Sequence, residues 1–520
     1  MSHTNDFVRW TFAAIATLGI LLSAPANATN LLLIVSDNQS ASLIGAYGNR
    51  EIDTPHIDRL ARQGMVFERA YATSGVCSPS RATLLTGVIP SRHGVHNGLP
   101  QRIDVEGWSA IAEMRSLPQT LADAGFQTGL VGKWHLGVSD VPQAGFESWV
   151  AFLGGHTSSF VDALIYDNGS SYNVAERDEH LTDFWTQRAT DFLQNRDPDG
   201  PFSLMVSYNG PYMLPPTVNE APTNRFADRY RDRALTMPQE PVHPYLREWT
   251  KQTSFEMPGV VGGTWGWAAI DALNNRDAMV NVAAETTMVD DGIGRILAEL
   301  ERLDLDDETL VVFLSDQGSA YGQLGLWGNS SWGAPPPAYN ANMQIPLVFR
   351  HKGNIPRGQR QNMMINQFDI LPTLLDYLGL GDREIAGSPG QSFASVLNGQ
   401  TMPWANEVFF EYLTTRVIQT EDWKYTKRFP DGPNELYDMR TDPGETANLI
   451  ERPELQQTVS ELDGRLEAFF AAYAAPEFDL WSGGSAKAQA FYASSDDRVF
   501  SDAFANWRKP FVEIRPAFHD

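Results

Sequence analysis

Short runs of consecutive apolar residues recur along the chain, and polar residues follow each run at once. Continuous apolar runs of this length are typical of buried strands in a parallel sheet. The clearest runs are residues 31–35 before Ser36-Asp37-Asn38, residues 130–131 before Gly132-Lys133-Trp134-His135, residues 202–206 before Asn209-Gly210-Pro211-Tyr212, and residues 310–314 before Ser315-Asp316-Gln317. Open α/β sheets bind ligands at the carboxyl ends of their strands, so these polar residues mark the predicted site.

Apolar residues at helical spacing lie between the predicted strands. One such set, Val289, Ile293, Ile296, Leu297 and Leu300, ends shortly before the strand at 310–314. This spacing predicts a helix that packs on the core. Strands that alternate with helices predict an α/β fold, in which helices wrap a mostly parallel sheet.

The last quarter of the chain has a different pattern. Apolar residues alternate with polar ones around 408–410 and 416–418, which predicts an antiparallel sheet, and a helical pattern follows over about 455–469. A chain of 520 residues is too long for one small core. We therefore predict a large catalytic domain over 29–400 and a smaller α+β subdomain over 401–520 that includes an extra tail.

Residues 1–28 have the pattern of a secretory signal peptide. Arg9 stands in a polar start, apolar residues run from about 10 to 22, and Ala26-Asn27-Ala28 offers a cleavage site of small residues. The apolar run is shorter than the ~20 residues of a spanning helix, although an uncleaved N-terminal anchor remains an alternative. We expect a periplasmic or secreted protein with no stable membrane insertion after cleavage.

The formal net charge is −25, which argues against nucleic acid as a partner. The same charge repels an anionic substrate at long range, so local cationic groups must hold any such substrate. An acidic surface that keeps an exported protein soluble is a simpler explanation of the charge.

Cys77 is the only cysteine in the sequence, so no intramolecular disulfide forms. A lone cysteine is either an inert buried thiol or a reactive group. It opens the run Cys77-Ser78-Pro79-Ser80-Arg81-Ala82-Thr83-Leu84-Leu85-Thr86-Gly87. Pro79 suits a sharp turn, and a helix that begins here presents free N–H groups to an anion. Arg81 adds a fork of donors that suits a tetrahedral oxyanion.

This run resembles the hallmark of the type I sulfatases, which is Cys-x-Pro-x-Arg followed by Leu-Thr-Gly. The resemblance covers about residues 30–470 and implies the alkaline-phosphatase-like fold of that superfamily. It also implies that a maturase oxidises Cys77 to formylglycine, whose hydrated aldehyde is the nucleophile. One hydroxyl of the hydrate takes up the sulfuryl group, and the other expels sulfate as the aldehyde reforms.

Residues 132–137 match a second motif of the family, Gly-Lys-Trp-His-Leu-Gly. The resemblance implies that Lys133 contacts the sulfate as a point charge and that His135 carries a proton beside the nucleophile. Outside such a motif, a histidine next to a tryptophan is more often structural. The predicted catalytic residues are therefore Cys77, Arg81, Lys133 and His135.

Asp37 and Asp316 are the predicted centre of a metal site. Each follows an apolar strand, where an unpaired charge is costly, and carboxylate and amide oxygens are ligands that Ca²⁺ and Mg²⁺ prefer. An aspartate that merely caps the next helix is the alternative. The resemblance implies a divalent cation, usually calcium, held by Asp37, Asn38, Cys77, Asp316 and Gln317.

The metal site departs from the family in its charge. Relatives typically have Asp-Asp and Asp-Asn where this chain has Asp37-Asn38 and Asp316-Gln317. The site therefore carries less negative charge, and we predict a weaker metal affinity or a different cation preference.

Two further groups that are common in relatives are missing. A histidine thought to protonate the leaving group commonly lies in the loop that reads 209–212 here, and a lysine often stands where this chain has Asn329. We predict Tyr212, Asn329 and His243 as substrate-binding residues. Further candidates to compensate, with solvated or structural roles as the alternative, are Arg92, His93 and His96.

Residues 213–275 are rich in Pro, Tyr, Arg and Trp. Aromatic side chains in this segment can stack on sugar or aryl rings, or they can pack in the core. The aromatic residues singled out for this role are Tyr230, Trp249, Trp265 and Trp267.

Together these features predict an exported sulfatase that acts on a sulfated carbohydrate rather than on a simple aryl sulfate. The nearest alternative is a phosphonate or phosphodiester hydrolase on the same scaffold. Another alternative is a non-catalytic relative that binds sulfated glycans.

Overall fold

A computed structural model of the chain describes residues 29–99, 107–157, 159–212, 222, 224–236, 241–253, 264–383 and 385–487. The predicted signal peptide and the end of the predicted tail lie outside these residues. The side chains of Trp265 and Trp267 also lie outside the described part, although the backbone of their helix lies within it.

The described strands form one large sheet, one short ribbon and one small sheet. They are β1 (Asn30–Asp37), β2 (Met65–Tyr71), β3 (Gln127–Gly132), β4 (Ser148–Phe152), β5 (Leu164–Asp167), β6 (Ser170–Asn173), β7 (Phe202–Pro211), β8 (Thr309–Ser315), β9 (Ala320–Tyr321), β10 (Trp327–Gly328), β11 (Gln344–Ile345), β12 (Leu347–Arg350), β13 (Gln359–Asn366), β14 (Glu407–Tyr412), β15 (Thr415–Thr420), β16 (Trp423–Arg428) and β17 (Glu435–Asp438).

The large sheet is parallel at its centre and mixed at its margins. Strands β8, β1, β7, β3 and β4 run parallel in that order. Antiparallel pairs continue the sheet through β5 and β6 on one side, and through β12 and β2 on the other. The carboxyl ends of β8, β1, β7 and β3 therefore meet at one edge.

Helices cover both faces of this sheet, as the alternating pattern predicted. The described helices are α1 (Pro55–Gln63), α2 (Cys77–Thr86), α3 (Pro90–His93), α4 (Leu117–Ala122), α5 (Leu181–Asn195), α6 (Ala227–Arg231), α7 (Pro244–Thr253), α8 (Thr264–Ala272), α9 (Arg276–Arg302), α10 (Asn340–Met343), α11 (Ile370–Tyr377), α12 (Ala394–Leu397) and α13 (Gln456–Tyr473).

Side chains alternate between the two faces of each strand, and β1 shows how this divides the core. Leu32 and Ile34 of β1 pack in one cluster with apolar residues of α1, α5 and α9. Leu31, Leu33 and Val35 pack in the other cluster with α2, α4 and α11. Each face of β1 is therefore buried under helices, which explains why its sequence is apolar without interruption.

The small sheet has the antiparallel order β14-β15-β16-β17, as predicted for the C-terminal part. One of its faces packs on α13 through residues such as Phe409 and Leu466. The opposite face carries Val408 and Phe410 and packs on Val76, just before α2. The α/β architecture with a smaller antiparallel unit is thus confirmed, whereas the boundary at residue 400 stays a prediction. Within the described part of the chain, no helix combines the length and apolar character of a membrane span.

Candidate active site

The predicted site residues gather at the edge where the central parallel strands end. Asp37 ends β1, Lys133 follows β3, Tyr212 follows β7, and Asp316 follows β8. Because β7 lies between β1 and β3, the backbone N–H of Tyr212 donates to the carbonyl oxygen of Asp37 at 3.2 Å. The N–H of Lys133 donates to the carbonyl of Ser207 in β7 at 2.8 Å. Parallel pairing alone therefore brings these four residues together.

Cys77 lies at the start of α2 and faces both aspartates. One ligand atom from each of Asp37, Cys77 and Asp316 lies within 4.8 Å of the other two. The Cys77 sulfur lies 3.6 Å from Oδ1 of Asp37, and Nε2 of Gln317 donates to the sulfur at 3.2 Å. Pro79 occupies the first turn of α2, where a missing N–H costs nothing.

Two cations neutralise the two carboxylates. Nζ of Lys133 pairs with Asp37. Nε and Nη2 of Arg81 donate to Oδ2 of Asp316 at 3.0 and 2.7 Å, and Nη1 donates to Oγ of Ser207 at 2.5 Å. Each of these charged groups is almost fully buried. The guanidinium is therefore held by a fork of charge-assisted hydrogen bonds, a geometry that lysine cannot reproduce.

Burial also sets the protonation of two groups. It raises the pKa of Asp37 to about 7, although Lys133 opposes the rise. It raises the pKa of the Cys77 thiol to about 12, and the Asp37 carboxylate adds to that rise. Since the thiolate is the nucleophilic form of cysteine, the unmodified Cys77 side chain is unreactive here.

Amide side chains complete the oxygen cluster. The side-chain oxygen of Asn38 accepts hydrogen bonds from Nε2 of Gln317 at 2.7 Å, Nδ2 of Asn329 at 3.1 Å and Oγ of Ser319 at 3.2 Å. The other atom of the Gln317 amide lies 2.8 Å from Oδ1 of Asp316. With the amide turned over, its N–H donates to Oδ1 and Oδ2 of Asp316 at 2.8 and 3.1 Å. The carboxylates of Asp37 and Asp316 and the amides of Asn38 and Gln317 offer oxygen ligands of the kind that a hard divalent cation prefers.

His135 lies beside these groups with a left-handed backbone, at φ 58°. Its Nε2 lies 3.3 Å from the carbonyl oxygen of Leu99, and its Nδ1 has no hydrogen-bond partner within the described residues. Burial lowers the pKa of His135 well below its usual value, and Lys133 lowers it further. The imidazole is therefore neutral and can accept a proton only from a group placed against it.

Comparison with known proteins decides the family. A sulfatase family model matches residues 29–380, which is more than half of the chain. The chain belongs to the sulfatase family. A second model, for the C-terminal part of N-sulphoglucosamine sulphohydrolase, matches residues 334–471. Curated relatives are named as sulfatases and sulphohydrolases, so the predicted enzyme class, a sulfuric ester hydrolase, is confirmed.

Two curated relatives are similar over most of this sulfatase. N-acetylglucosamine-6-O-sulfatase of Bacteroides thetaiotaomicron is 27% identical over 500 residues, which cover 84% of this chain and 85% of the relative. Human N-sulphoglucosamine sulphohydrolase is 30% identical over 374 residues, covering 71% and 64%. A solved structure of a protein with its substrate D-glucosamine-2-N,6-O-disulfate has a TM-score of 0.65 and 25% identity, covering 86% and 98%. These similarities bear out the alkaline-phosphatase-like fold.

Not every residue predicted for the sulfatase site joins the cluster. Nδ1 of His243 accepts from the backbone N–H of Tyr245 at 3.1 Å, and its Nε2 lies 3.2 Å from the hydroxyl of Tyr339. The structure therefore brings His243 to Tyr339 and Tyr245 rather than to Cys77. Asn329 does reach the cluster, through its contact with Asn38. The predicted roles of both residues in substrate binding stay predictions.

The compensating candidates bond to other parts of the fold. His93 contacts Oγ1 of Thr83 in α2 at 3.2 Å, and His96 contacts the carbonyl oxygen of Phe478 at 2.7 Å. Nη1 of Arg92 donates to the carbonyl of Tyr473 at 3.2 Å. These contacts support structural roles.

Two of the predicted aromatic residues are packed in the core. The ring of Trp249 stacks on Trp332 with centroids 5.2 Å apart. The hydroxyl of Tyr230 lies 2.5 Å from Oγ1 of Thr287. Both side chains are buried, so the core-packing alternative applies to them.

The sequence analysis missed His156. Its Nδ1 lies 2.7 Å from the hydroxyl oxygen of Tyr212, and its ring centroid lies 5.7 Å from that of His135. The neighbouring Gly155 leaves room for His135, because a Cβ there would lie 1.7 Å from the imidazole. The signal in the sequence was weaker than for Lys133, because Leu153, Gly154 and Gly155 separate His156 from the end of β4.

Proposed function

We propose that this sulfuric ester hydrolase is exported and removes sulfate from a carbohydrate through a formylglycine made from Cys77. The observation that carries the proposal is the position of Cys77. Cys77 is the first residue of α2, and its side chain faces Asp37 and Asp316. Lys133 pairs with Asp37, and Arg81 pairs with Asp316. A tetrahedral anion held at this point meets cationic groups and helix N–H groups at once.

Formylglycine accounts for a cysteine that is otherwise poorly placed for catalysis. A thiol whose pKa burial raises to about 12 stays protonated at neutral pH. A hydrated aldehyde at the same position supplies a hydroxyl nucleophile and a second hydroxyl that releases sulfate. Conversion requires a maturase, which we propose as a partner of this chain.

The charges of the cluster favour a divalent cation. When both carboxylates are ionised, Asp37 and Asp316 contribute two negative charges, which Lys133 and Arg81 cancel. A cluster with no net charge gives little attraction to a sulfate ester in a protein of net charge −25. A bound calcium or magnesium ion makes the cluster positive and polarises the sulfuryl oxygens. We propose Asp37, Asn38, Asp316 and Gln317 as its ligands together with the modified residue 77.

We propose a sulfated hexosamine as the substrate class. The names of both curated relatives specify glucosamine sulfates, and so does the ligand of the solved neighbour. The relatives differ in whether they act on an O-sulfate or an N-sulfate. A panel of glucosamine and galactosamine sulfates, each with one sulfate at a defined position, identifies the preferred ester.

One observation favours a non-catalytic glycan-binding protein as the second candidate. The side-chain oxygen of Asn38 accepts three hydrogen bonds from the protein, including one from Asn329. An oxygen engaged in this way is a weak metal ligand. A poorly loaded metal site would allow sulfated glycans to bind without being cleaved.

Mass spectrometry of the tryptic peptide 70–81 tests the nucleophile, with protein prepared from its native host. We expect the thiol mass to be replaced by that of formylglycine or its hydrate. Ion chromatography then measures sulfate release from the hexosamine panel, with Cys77→Ala as the inactive control. An unmodified thiol in active protein contradicts the proposed nucleophile, whereas converted protein that binds glycans without releasing sulfate identifies the second candidate.

Cell fractionation tests the proposed export. We expect the protein in the periplasm or the medium, with a mature N-terminus near residue 29. Retention of the intact N-terminus in the membrane fraction would contradict the cleaved signal and support the anchor.

A further inference from the structure

Tyr212 and His156 form a hydrogen-bonded pair at the edge of the active site. The hydroxyl oxygen of Tyr212 lies 2.7 Å from Nδ1 of His156, and both side chains are largely buried. The two residues are 56 positions apart and come from the ends of different strands, β7 and β4. A buried pair of polar groups joined across two strands points to a built arrangement rather than to a chance surface contact.

The pair lies next to the groups that hold the reacting ester in the proposed function. The backbone of Tyr212 bonds to Asp37, and Nζ of Lys133 lies 5.1 Å from the centroid of the Tyr212 ring. His156 also lies beside His135, at a ring-centroid distance of 5.7 Å. The other polar residue of the same loop, Asn209, is turned away and bonds to Trp185 and Thr157. Of Asn209 and Tyr212, Tyr212 is therefore the residue whose side chain lies against Lys133 of the site.

We propose that Tyr212 protonates the leaving-group oxygen of the sulfate ester, and that His156 positions the Tyr212 hydroxyl for this transfer. The inference rests on the proposed sulfatase function and assigns its leaving-group acid. In this proposal Tyr212 is the catalytic residue, since its hydroxyl would contact the ester. His156 is a positioning residue that acts through Tyr212.

The tautomer of His156 determines where the proton of Tyr212 points. With hydrogen on Nδ1, the imidazole donates to the Tyr212 oxygen, and the hydroxyl proton turns toward the bound ester. Burial lowers the pKa of His156 to about 3, with Lys133 adding to the effect. A neutral imidazole with one N–H can therefore fill this role at neutral pH.

The proposed step conserves atoms and electrons. The hydroxyl nucleophile at position 77 forms a bond to sulfur and gives its proton to the carboxylate of Asp37, whose Oδ1 lies 3.6 Å from the Cys77 sulfur. At the same time the bond from sulfur to the leaving oxygen breaks, and the electron pair of that bond goes to the leaving oxygen. This oxygen takes the hydroxyl proton of Tyr212, so an alcohol departs and a phenolate remains. The N–H of His156 stabilises the phenolate, which regains a proton from water before the next turnover.

Leaving-group dependence tests the role of Tyr212. An aryl sulfate with a nitrophenol leaving group departs without a proton donor, whereas a sugar alcohol needs one. For Tyr212→Phe we expect kcat/KM to fall about 10²–10⁴-fold on the sugar sulfate and less than about 10-fold on nitrophenyl sulfate. Tyr208→Phe is the matched control, since it removes another buried hydroxyl from β7, one that lies 2.9 Å from Oγ1 of Thr186. We expect it to leave both rates nearly unchanged.

His156 variants test the positioning role. We expect His156→Leu to reproduce the selective loss on the sugar sulfate, and His156→Asn, whose amide N–H can replace Nδ1–H, to restore part of it. Equal losses on the two esters would overturn the inference and assign the proton to another group, with His135 next to be tested. Wild-type protein that cleaves neither ester would instead refute the proposed function itself.

Discussion

Replacing Arg81 by methionine removes a buried cation that four hydrogen bonds hold in the active site. The guanidinium gives two hydrogen bonds to Asp316, at 3.0 and 2.7 Å, one to Oγ of Ser207 and one to the carbonyl of Lys133. Methionine keeps much of the side-chain length but removes all four donors. Asp316 then keeps two backbone N–H donors, from Asn38 at 3.1 Å and Gln317 at 2.8 Å.

The expected destabilisation follows from leaving a buried carboxylate without its cation. Removing one partner of a buried ion pair costs about 3–5 kcal/mol. The unfolding entropy of a chain of 520 residues is about 1 kcal/mol per degree, from roughly 2 cal/mol/K per residue. We therefore expect Arg81→Met to lower the midpoint of thermal unfolding by about 3–5 °C.

Circular dichroism during a thermal ramp measures this midpoint. EDTA is present throughout, so that no cation replaces the guanidinium beside Asp316. The double variant Arg81→Met/Asp316→Asn is the control, because it removes the uncompensated charge, and we expect it to recover most of the loss. A midpoint within about 1 °C of wild type for Arg81→Met, or no recovery in the double variant, would refute the reasoning.

Four further predictions concern the metal, pH, packing and specificity. Saturating calcium should raise the unfolding midpoint measured by differential scanning fluorimetry, and Asp316→Asn should abolish the rise; an equal rise in both proteins would place the ion elsewhere. Burial holds the pKa of His93 in the folded protein well below its usual 6.5. As the pH falls below about 6.5, this histidine is protonated in the unfolded chain but not in the folded one, so the free energy of unfolding decreases. The thermal unfolding midpoint of His93→Asn minus that of wild type should therefore increase as the pH is lowered from 7 to 5. A difference in midpoint that does not change with pH would contradict this assignment. Gly155→Ala should displace His135 and reduce sulfate release at least about 100-fold. In the control Gly464→Ala in α13, nothing lies within 4 Å of the new methyl group. This control should keep full activity and add about 0.5–1 kcal/mol to the free energy of unfolding. Matched sulfate and phosphate esters should show faster release of sulfate, and the reverse order would favour the phosphoesterase alternative.

The central sheet could be predicted because its strands are buried on both faces. Residues 31–35 fall inside β1 and residues 310–314 inside β8, and both segments are apolar without interruption. The strand β2 carries Glu68 and Arg69 and therefore lacks such a signal. Its charged side chains pair with Arg360 and Glu421, which lie hundreds of residues away. A prediction from the residues around β2 alone therefore cannot identify those partners.

The same contrast holds for the site. Asp37, Lys133 and Asp316 could be predicted because each follows a strand directly, and parallel pairing brings strand ends together. His156 belongs to the same edge, but its relation to Tyr212 depends on how the turn after β4 is folded. Motif spacing fixes which residues gather at the strand ends, whereas contacts between loops depend on the complete fold.

The buried position of Cys77 limits the time at which its proposed conversion to formylglycine can take place. The segment before it packs under the small sheet, where the N–H of Glu411 donates to the carbonyl of Thr73 at 2.8 Å and Phe410 packs on Val76. Strand β14 begins at Glu407, about 330 residues after Cys77. At a synthesis rate of about 5–20 residues per second, residue 77 is made roughly 20–60 s before the strands that cover it. The enzyme proposed to oxidise Cys77 therefore has a period of that length in which to act, before the small sheet packs on the turn that precedes α2.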